Sequence, residues 1–546
     1  MTNRALLLSC ALIVPACASM GGESDREPPA LEVASPSRAA QLDGVEVTVS
    51  GRASDGGTGV ASVLVNGVAA EVAADGAFEV MLGLDGGVTL LEVVARDGAG
   101  NEARDVRAVL SGRRSAESVV AGGLMARIGP GAYGLAASAV RAAVVATDVG
   151  AEAAAPGALF GVPGCFDVHL VGFEHGAVDV DLQPRAGGVG VELELRDVVL
   201  DLRVDVGGFC DDEGSSAPAR LTADALRLRG LARLVVSEAG VRPDLGGVTA
   251  DFEGVTLDTD LVPGEVVDLL VSAAPSQLAS ALGAAVRGLA GGALDSALGE
   301  LDAVAWESAI QGLGLSVRLA PTAVEAGVDG VAVTSSVELR FDGLGPVEYV
   351  AGAGPAEAPE LDGDSTLRLA VADDVANLTL AALWAGGFLE RSVAIPADHA
   401  ARTRLGLDRL ELALALPPMV RSGAGSARIV IGDAVVTAYD LEGAAVMRLA
   451  VSAVADLALS AGGALLTLMP EEAELWVSPL EEDGGSSATV ELPEPLRVAA
   501  LDEVTRFLDE SLASLPVPEL TGVARVSTLA AVPGYVVLDA DLGASP

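Results

Sequence analysis

Gly188-Val189-Gly190-Val191-Glu192-Leu193-Glu194-Leu195-Arg196-Asp197-Val198-Val199-Leu200-Asp201-Leu202-Arg203-Val204-Asp205-Val206 is the stretch that decides the fold. Val189, Val191, Leu193 and Leu195 alternate with acids, and the alternation resumes at Leu200, Leu202, Val204 and Val206, with Asp201, Arg203 and Asp205 between. A period of two puts apolar side chains on one face of a strand and charges on the other, so the reading is a long strand in a sheet with one dry and one wet face. Downstream, roughly from 263 to 301, Leu278, Leu282, Val286 and Leu289 are spaced by four, four and three residues. That spacing makes a single helical stripe, expected to lie against the sheet's dry face. The programme then recurs: strands at Leu407 to Leu416 and Ala427 to Ala438 precede a helix near Leu496 to Leu512, whose Leu501, Val504, Leu508 and Leu512 repeat the stripe.

A chain of 546 residues, 51% of them hydrophobic, allows three or four domains with large cores. Mean hydropathy is +0.47, yet after the N-terminal segment no apolar run reaches the roughly 18 residues needed to cross a bilayer as a helix. The apolar residues are instead distributed through alternating strands. All 33 basic residues are arginine, against 77 acids, for a net charge of -44. Such a balance repels nucleic acid and anionic surfaces and excludes nucleic-acid binding as the expected function. The one basic group, Arg227, Arg229 and Arg233, reads as a solvated sheet face.

Catalysis is not expected. There are three histidines, His169, His175 and His399, and no Gly-x-Ser-x-Gly elbow, phosphate loop or His-Glu-x-x-His helix. Paired carboxylates say little in a chain with this many acids. No catalytic residue, cofactor or metal ligand is assigned.

The N-terminus carries Arg4, an apolar stretch from Ala5 to Val14, and then Val14-Pro15-Ala16-Cys17. This resembles the lipobox of bacterial lipoproteins, in which the cysteine is diacylated and becomes the new N-terminus. Ordinary signal-peptide cleavage after Ala16-Cys17-Ala18 is the competing reading. With Ala18 and Ser19 rather than aspartate next, the lipoprotein resemblance implies the bacterial outer membrane, on its periplasmic or surface face. Residues 18–28 then read as a polar tether. On that resemblance Cys10 would leave with the signal peptide and Cys17 would be lipidated, which leaves Cys165 and Cys210. In an oxidising exported compartment these two are expected to form a disulfide. A redox or metal pair is the lesser alternative, since no Cys-x-x-Cys spacing exists.

Residues 29–112 predict a small β-sandwich. Short alternating runs such as Val45-Val47-Val49, Val63-Val65 and Val88-Leu90 are separated by the turn sequences Asn66-Gly67, Asp75-Gly76 and Asp97-Gly98-Ala99-Gly100-Asn101. Together with Val49 to Asp55 and Ala95 to Asn101, these resemble the bacterial Ig-like repeat, which mostly serves as a spacer or a weak protein and carbohydrate binder. Its acidic turns are read as turn formers rather than Ca2+ ligands, because no twelve-residue loop ends in glutamate.

From Gly123 another resemblance begins. Gly123-Leu124-Met125-Ala126-Arg127-Ile128 followed by Tyr133, Leu135 and Ala136, the strands of 189–206, Gly314 to Pro321, and Leu367 to Leu389 with Asp373-Asp374 and Ala381-Ala382-Leu383-Trp384 follow one another in a recognisable order. So does Leu515-Pro516-Val517-Pro518 with two further strands up to Asp541. The chain is similar in this order to the bactericidal/permeability-increasing protein and lipopolysaccharide-binding protein family, within the tubular lipid-binding superfamily. What the resemblance implies is a mainly β fold with long helices: a boomerang of two barrels, 113–309 and 310–546, sharing a central sheet. Each barrel would wrap a long amphipathic helix, with a pocket for lipid or another apolar molecule at the helix–sheet seam. The implied lining is Ile128, Leu135, Val140, Leu278, Leu282, Val286 and Leu289 in the first half, and Leu501, Val504 and Leu508 in the second. Alanine and glycine along the first helix, such as Ala281, Ala284 and Gly288, leave room there or allow close packing.

The chain departs from that family in charge. Capture of a phosphorylated lipid through a cationic tip is not expected without lysine and at -44, whereas neutral or zwitterionic lipid is compatible, its acyl chains contributing about 0.8 kcal/mol per buried CH2. Two expectations follow: a lipid-anchored exported protein that binds or transfers lipid, or a cell-surface structural or adhesion lipoprotein whose barrels are solid. A hydrolase with an accessory Ig-like domain ranks third.

Overall fold

Asp197 sits where the alternation of the opening stretch changes phase. In the computed structural model its backbone is left-handed, with φ at 51°, a conformation that a short polar side chain tolerates. Arg196 and Asp197 both face outward there. The buried set therefore moves from Val189, Val191, Leu193 and Leu195 to Val198, Leu200, Leu202, Val204 and Val206. The structure describes residues 25–146, 160–207, 215–237, 240–259, 305–351, 365–459, 466–468, 474–480 and 524–542, with isolated positions between.

Gly188–Val206 is a single 19-residue strand, paired along its whole length with the 23-residue strand Ser215–Ser237. At about 3.3 Å per residue the longer one spans about 75 Å. On the wet face Glu192 lies opposite Arg229 and Glu194 opposite Arg227, with ion pairs of 3.0 Å and 2.8 Å. These are ordinary cross-strand pairs, and the arginines are a solvated sheet face.

The duplication read from the sequence is a duplication of topology. In the first half, Phe160–Val162 pairs Phe166–Glu174; Phe166–Glu174 and Val178–Arg185 both pair one edge of Gly188–Val206; and Gly240–Glu253 and Thr256–Asp258 both pair the far edge of Ser215–Ser237. In the second half, Arg391–Ala394 pairs Leu407–Ala413; Leu407–Ala413 and Met419–Ser422 share one edge of Ala427–Asp440; and Leu466–Leu468 and Glu474–Pro479 share the far edge of Ala445–Leu459. Strand for strand, the two sheets of seven have the same order. Each is preceded by a strand and a helix: Val119–Ile128 and Tyr133–Ala146 in the first half, Leu367–Ala372 and Asp373–Ala385 in the second.

Those two leading strands pair antiparallel at the middle of a third, central sheet. On one side of them lies the hairpin of Leu313–Gly327 and Gly330–Phe341, with Ala305–Ile310 outermost; on the other lies the hairpin Ala524–Val532 and Tyr535–Leu542. Arg368 and Asp539, which face each other across adjacent strands, bind in a fork at 2.6 Å and 2.8 Å. The guanidinium, with the Ser365 and Thr528 hydroxyls, holds the Asp539 carboxyl down at about 2.

Closed barrels around long helices are not what the described residues form. The first-half sheet is open, with the 3-residue strand Phe160–Val162 at one edge and the 14-residue Gly240–Glu253 at the other. Closing a barrel requires the outer strands to pair along their length, and three residues cannot cover fourteen. The second sheet is open likewise. The stripes predicted at 263–301 and 496–512 lie outside the described residues, among which the α-helices are Tyr133–Ala146, Asp373–Ala385 and Ala400–Leu405.

Residues 30–111 form a sandwich of a four-stranded and a five-stranded sheet over a core that includes Val49, Val65, Leu91 and Val93. The sandwich is docked against the second half. Val88, Ala108 and Leu110 bury against Leu416, Met419 and Val430 of the second half. At Gly432-Asp433 the strand Ala427–Asp440 shifts register against its neighbour, and Asp433, with φ at 46°, points its carboxylate into the sandwich. It accepts hydrogen bonds from Arg38 Nη1 at 2.8 Å, from the Ala39 amide at 3.0 Å and from the Ala108 amide at 2.7 Å. Arg38 also donates to Asp105, which in turn holds Arg107. Gly432 is required by the approach: a Cβ there would lie 2.4 Å from the Ala108 methyl and 2.9 Å from Val88.

Candidate functional site

The helix Tyr133–Ala146 buries Tyr133, Ala137, Val140 and Val144, a stripe with spacings of four, three and four that faces the first-half core. Val140 is buried, and Ile128 is half-buried against the same core. Leu135 is not part of it: two residues off the stripe, it is 52% exposed on the outer side of the helix. Burial pushes the Tyr133 hydroxyl up to about 12, so the contact is with the neutral phenol at physiological pH.

Away from that helix, the dry face of the first-half sheet is buried over its centre and only partly covered toward the edge strand. Along Gly240–Glu253 the exposed Thr249, Asp251 and Glu253 alternate with half-buried Val248, Ala250 and Phe252. Val255, Leu257, Leu234, Val324 and Ala326 continue this partly covered set, all packed against the first-half core. The result is a partly covered apolar row at one edge of the sheet.

The second half is tighter. Its helix Asp373–Ala385 is buried on nearly every side, and it grips the short strand Met419–Ser422 through side chains. Asn377 exchanges two hydrogen bonds with the backbone of Val420, and the Asp373 carboxylate accepts from the Ser422 amide and hydroxyl, each at 2.6 Å. Burial raises the Asp373 carboxyl to about 6, although the two bonds from Ser422 work in the opposite direction. Beside this helix, Leu124, Trp306, Val317, Leu339 and Val375 line a wholly apolar crevice of about 20 Å3. That is room for about one water, and an apolar void of this size stays dry.

The other predicted positions divide in two. Cys165 is disulfide-bonded. Its expected partner Cys210, the lipidation candidate Cys17, and Leu278, Leu282, Val286, Leu289, Leu501, Val504 and Leu508 all lie outside the described residues. In the sandwich the carboxylates of Asp25, Asp55 and Asp97 approach within 4.8 Å of one another, but each accepts from nearby groups: Asp97 from the amides of Ala99, Gly100 and Asn101, Asp55 from Gly57 and Gly59, and Asp25 from Thr58. The contacts of Asp55 and Asp97 form turns, and that of Asp25 ties the segment before the first strand to the Thr58 loop.

Residues 29–111 match the family described as glucodextranase, domain B. No curated protein matches the chain. Among solved structures, the crystal structure of lipopolysaccharide binding protein is similar at 16% identity, covering 78% of this chain and 99% of that one with a TM-score of 0.41. The solution structure of latherin is similar at 12% identity over 30% of this chain and 86% of that one, with a TM-score of 0.21.

Proposed function

We propose that this chain is an exported lipoprotein, anchored through Cys17 in the outer membrane, that binds lipid or another apolar molecule between sheet and helix. The observation that carries the reading is the edge row of Val248, Ala250, Phe252 and Leu257: apolar side chains alternating with polar ones, and left partly covered. At about 25 cal/mol per Å2, an apolar row held partly in water is worth covering, and an acyl chain supplies the cover. The acids on the opposite face and a net charge of -44 favour a neutral or zwitterionic lipid. The anchor rests on the N-terminal sequence alone.

The opposing reading is a structural or adhesion lipoprotein with solid halves. Organic extraction of the purified, unlipidated protein followed by mass spectrometry separates the two. Stoichiometric lipid is expected, reduced in Ala250→Trp, which places a bulky ring in that row; a lipid-free protein overturns the binding reading. Labelling with radioactive palmitate, lost in Cys17→Ser, tests the anchor separately.

A further inference from the structure

Leu414-Ala415-Leu416-Pro417-Pro418-Met419-Val420-Arg421-Ser422 runs between the second-half helix and the docked sandwich, and the two bodies grip different residues of it. On the inner side the grip is polar. Asp373, Asn377 and Trp384 are spaced by four and seven residues, which places them on one face of the helix Asp373–Ala385. All three bond to this one segment. Asp373 accepts from the Ser422 amide and hydroxyl, Asn377 exchanges two bonds with Val420, and the Trp384 indole donates to the Leu414 carbonyl at 2.8 Å. The same corner is tied to the central sheet, because the Gly534 amide donates to the Ser422 carbonyl and the Asp373 amide to the Gly534 carbonyl.

On the outer side the grip belongs to the sandwich. Leu416 and Met419 are members of the apolar cluster that docks it, whereas Val420 is a member of the second-half core. Met419 lies over Gly87, where a Cβ would come within 2.8 Å of its sulfur, and that sulfur accepts the Val88 amide at 3.1 Å. Arg421 donates to the Gly86 carbonyl. The segment's own ladder is short, Met419 to Ser422 against Ala427 to Val430. Pro417 and Pro418 hold φ fixed between the contacts, which leaves little rotation to absorb a shift imposed at Leu416 or Met419.

We propose that the docked sandwich is a clasp: by gripping Leu416, Met419 and Arg421 from outside, it holds this strap, and through the strap the helix Asp373–Ala385, in its closed packing. Release of the sandwich loosens the helix. Val375 of that helix lines the apolar crevice beside Trp306, so the second half opens there first. The coupling is reciprocal, and loosening the helix weakens the docking in turn. The device needs only the contacts named and is independent of the lipid reading.

The test is hydrogen exchange of the full mature chain, read by mass spectrometry. The peptide carrying Ala108, whose amide bonds to Asp433 across the interface, reports docking, and the helix Tyr133–Ala146 is the internal reference. Val88→Asp with Leu110→Asp places charge in the docking cluster from the sandwich side, at positions outside the sandwich's own core. Exchange should quicken in the Ala108 peptide and, by about tenfold, in Asp373–Ala385, with the reference helix unchanged. Conversely, Asn377→Leu, which removes the two bonds to Val420, should quicken the Ala108 peptide. A released Ala108 peptide beside a helix still at the parent's rate, an Ala108 peptide unmoved by either variant, or acceleration shared equally by the reference helix would overturn the proposal.

Discussion

Asp433 Oδ1 lies 2.8 Å from Nη1 of Arg38, and both side chains are almost wholly withdrawn from solvent although they are separated by nearly four hundred residues of chain. One belongs to the N-terminal sandwich and the other to the second-half sheet. The pair therefore fixes the relative placement of two bodies that the sequence presents as far apart.

Removing one partner of a buried pair strands the other charge. Asp433→Ala should cost about 3–5 kcal/mol, read as a lower denaturation midpoint with an earlier, separate sandwich transition. The double variant with Arg38→Ala should lose less than the sum of the single losses. A change in Asp433→Ala of no more than the about 0.5 kcal/mol typical of surface sites would show the contact to be dispensable.

Asp373 and Asp539 give opposite pH dependences. The Asp373 carboxyl, raised by burial from the ordinary 3.8 to about 6, contributes stability that is fully present below 3.8 and is lost as pH rises through about 6. The Asp539 carboxyl, lowered to about 2 by Arg368, contributes above the ordinary value and is lost as pH falls toward 2. Melting temperature followed from acid to neutral pH should therefore fall less steeply above pH 4 in Asp373→Asn. An identical slope in the variant and the parent would contradict the Asp373 assignment.

The facing of the first helix gives a paired test. Val140→Asp buries a charge in the first-half core and should unfold that half, whereas Leu135→Asp, on the outer side, should stay within about 0.5 kcal/mol of the parent in a chemical denaturation series. Similar losses at both positions would mean that the helix is rotated from the described placement.

For Cys165, peptide mapping without reduction is expected to return a Cys165–Cys210 cross-link. Cys165→Ser should lower stability by about 2–5 kcal/mol. A cross-link to any other cysteine would replace the pairing.

Much of the sheet architecture was legible because a period of two is written directly into the residues: every apolar position from Val189 to Leu195 and from Leu200 to Val206 is buried as the alternation requires. Other features are not carried by periodicity. Barrel closure depends on whether edge strands match in length, and Phe160–Val162 is too short to reach Gly240–Glu253. Leu135 was expected in the pocket lining from the family resemblance, yet the helix faces inward through Tyr133, Ala137, Val140 and Val144, and alanine is an inconspicuous marker of a buried face. Docking of the sandwich was hidden for a similar reason. Gly432-Asp433 reads locally as a flaw in a strand, and Arg38 lies in a Pro/Ser-rich stretch, so only their meeting in space gives either a role.

The antiparallel seam of Val119–Ile128 with Leu367–Ala372 gives the central sheet a two-fold character. A half-length chain with one copy of the strand–helix–seven-strand order would leave its leading strand bare along one edge, an invitation to pair with another chain. Two such chains meeting edge to edge about a two-fold axis would rebuild the present middle. The connectivity is thus that of a two-fold dimer written into one polypeptide, with a sandwich docked on one of its halves.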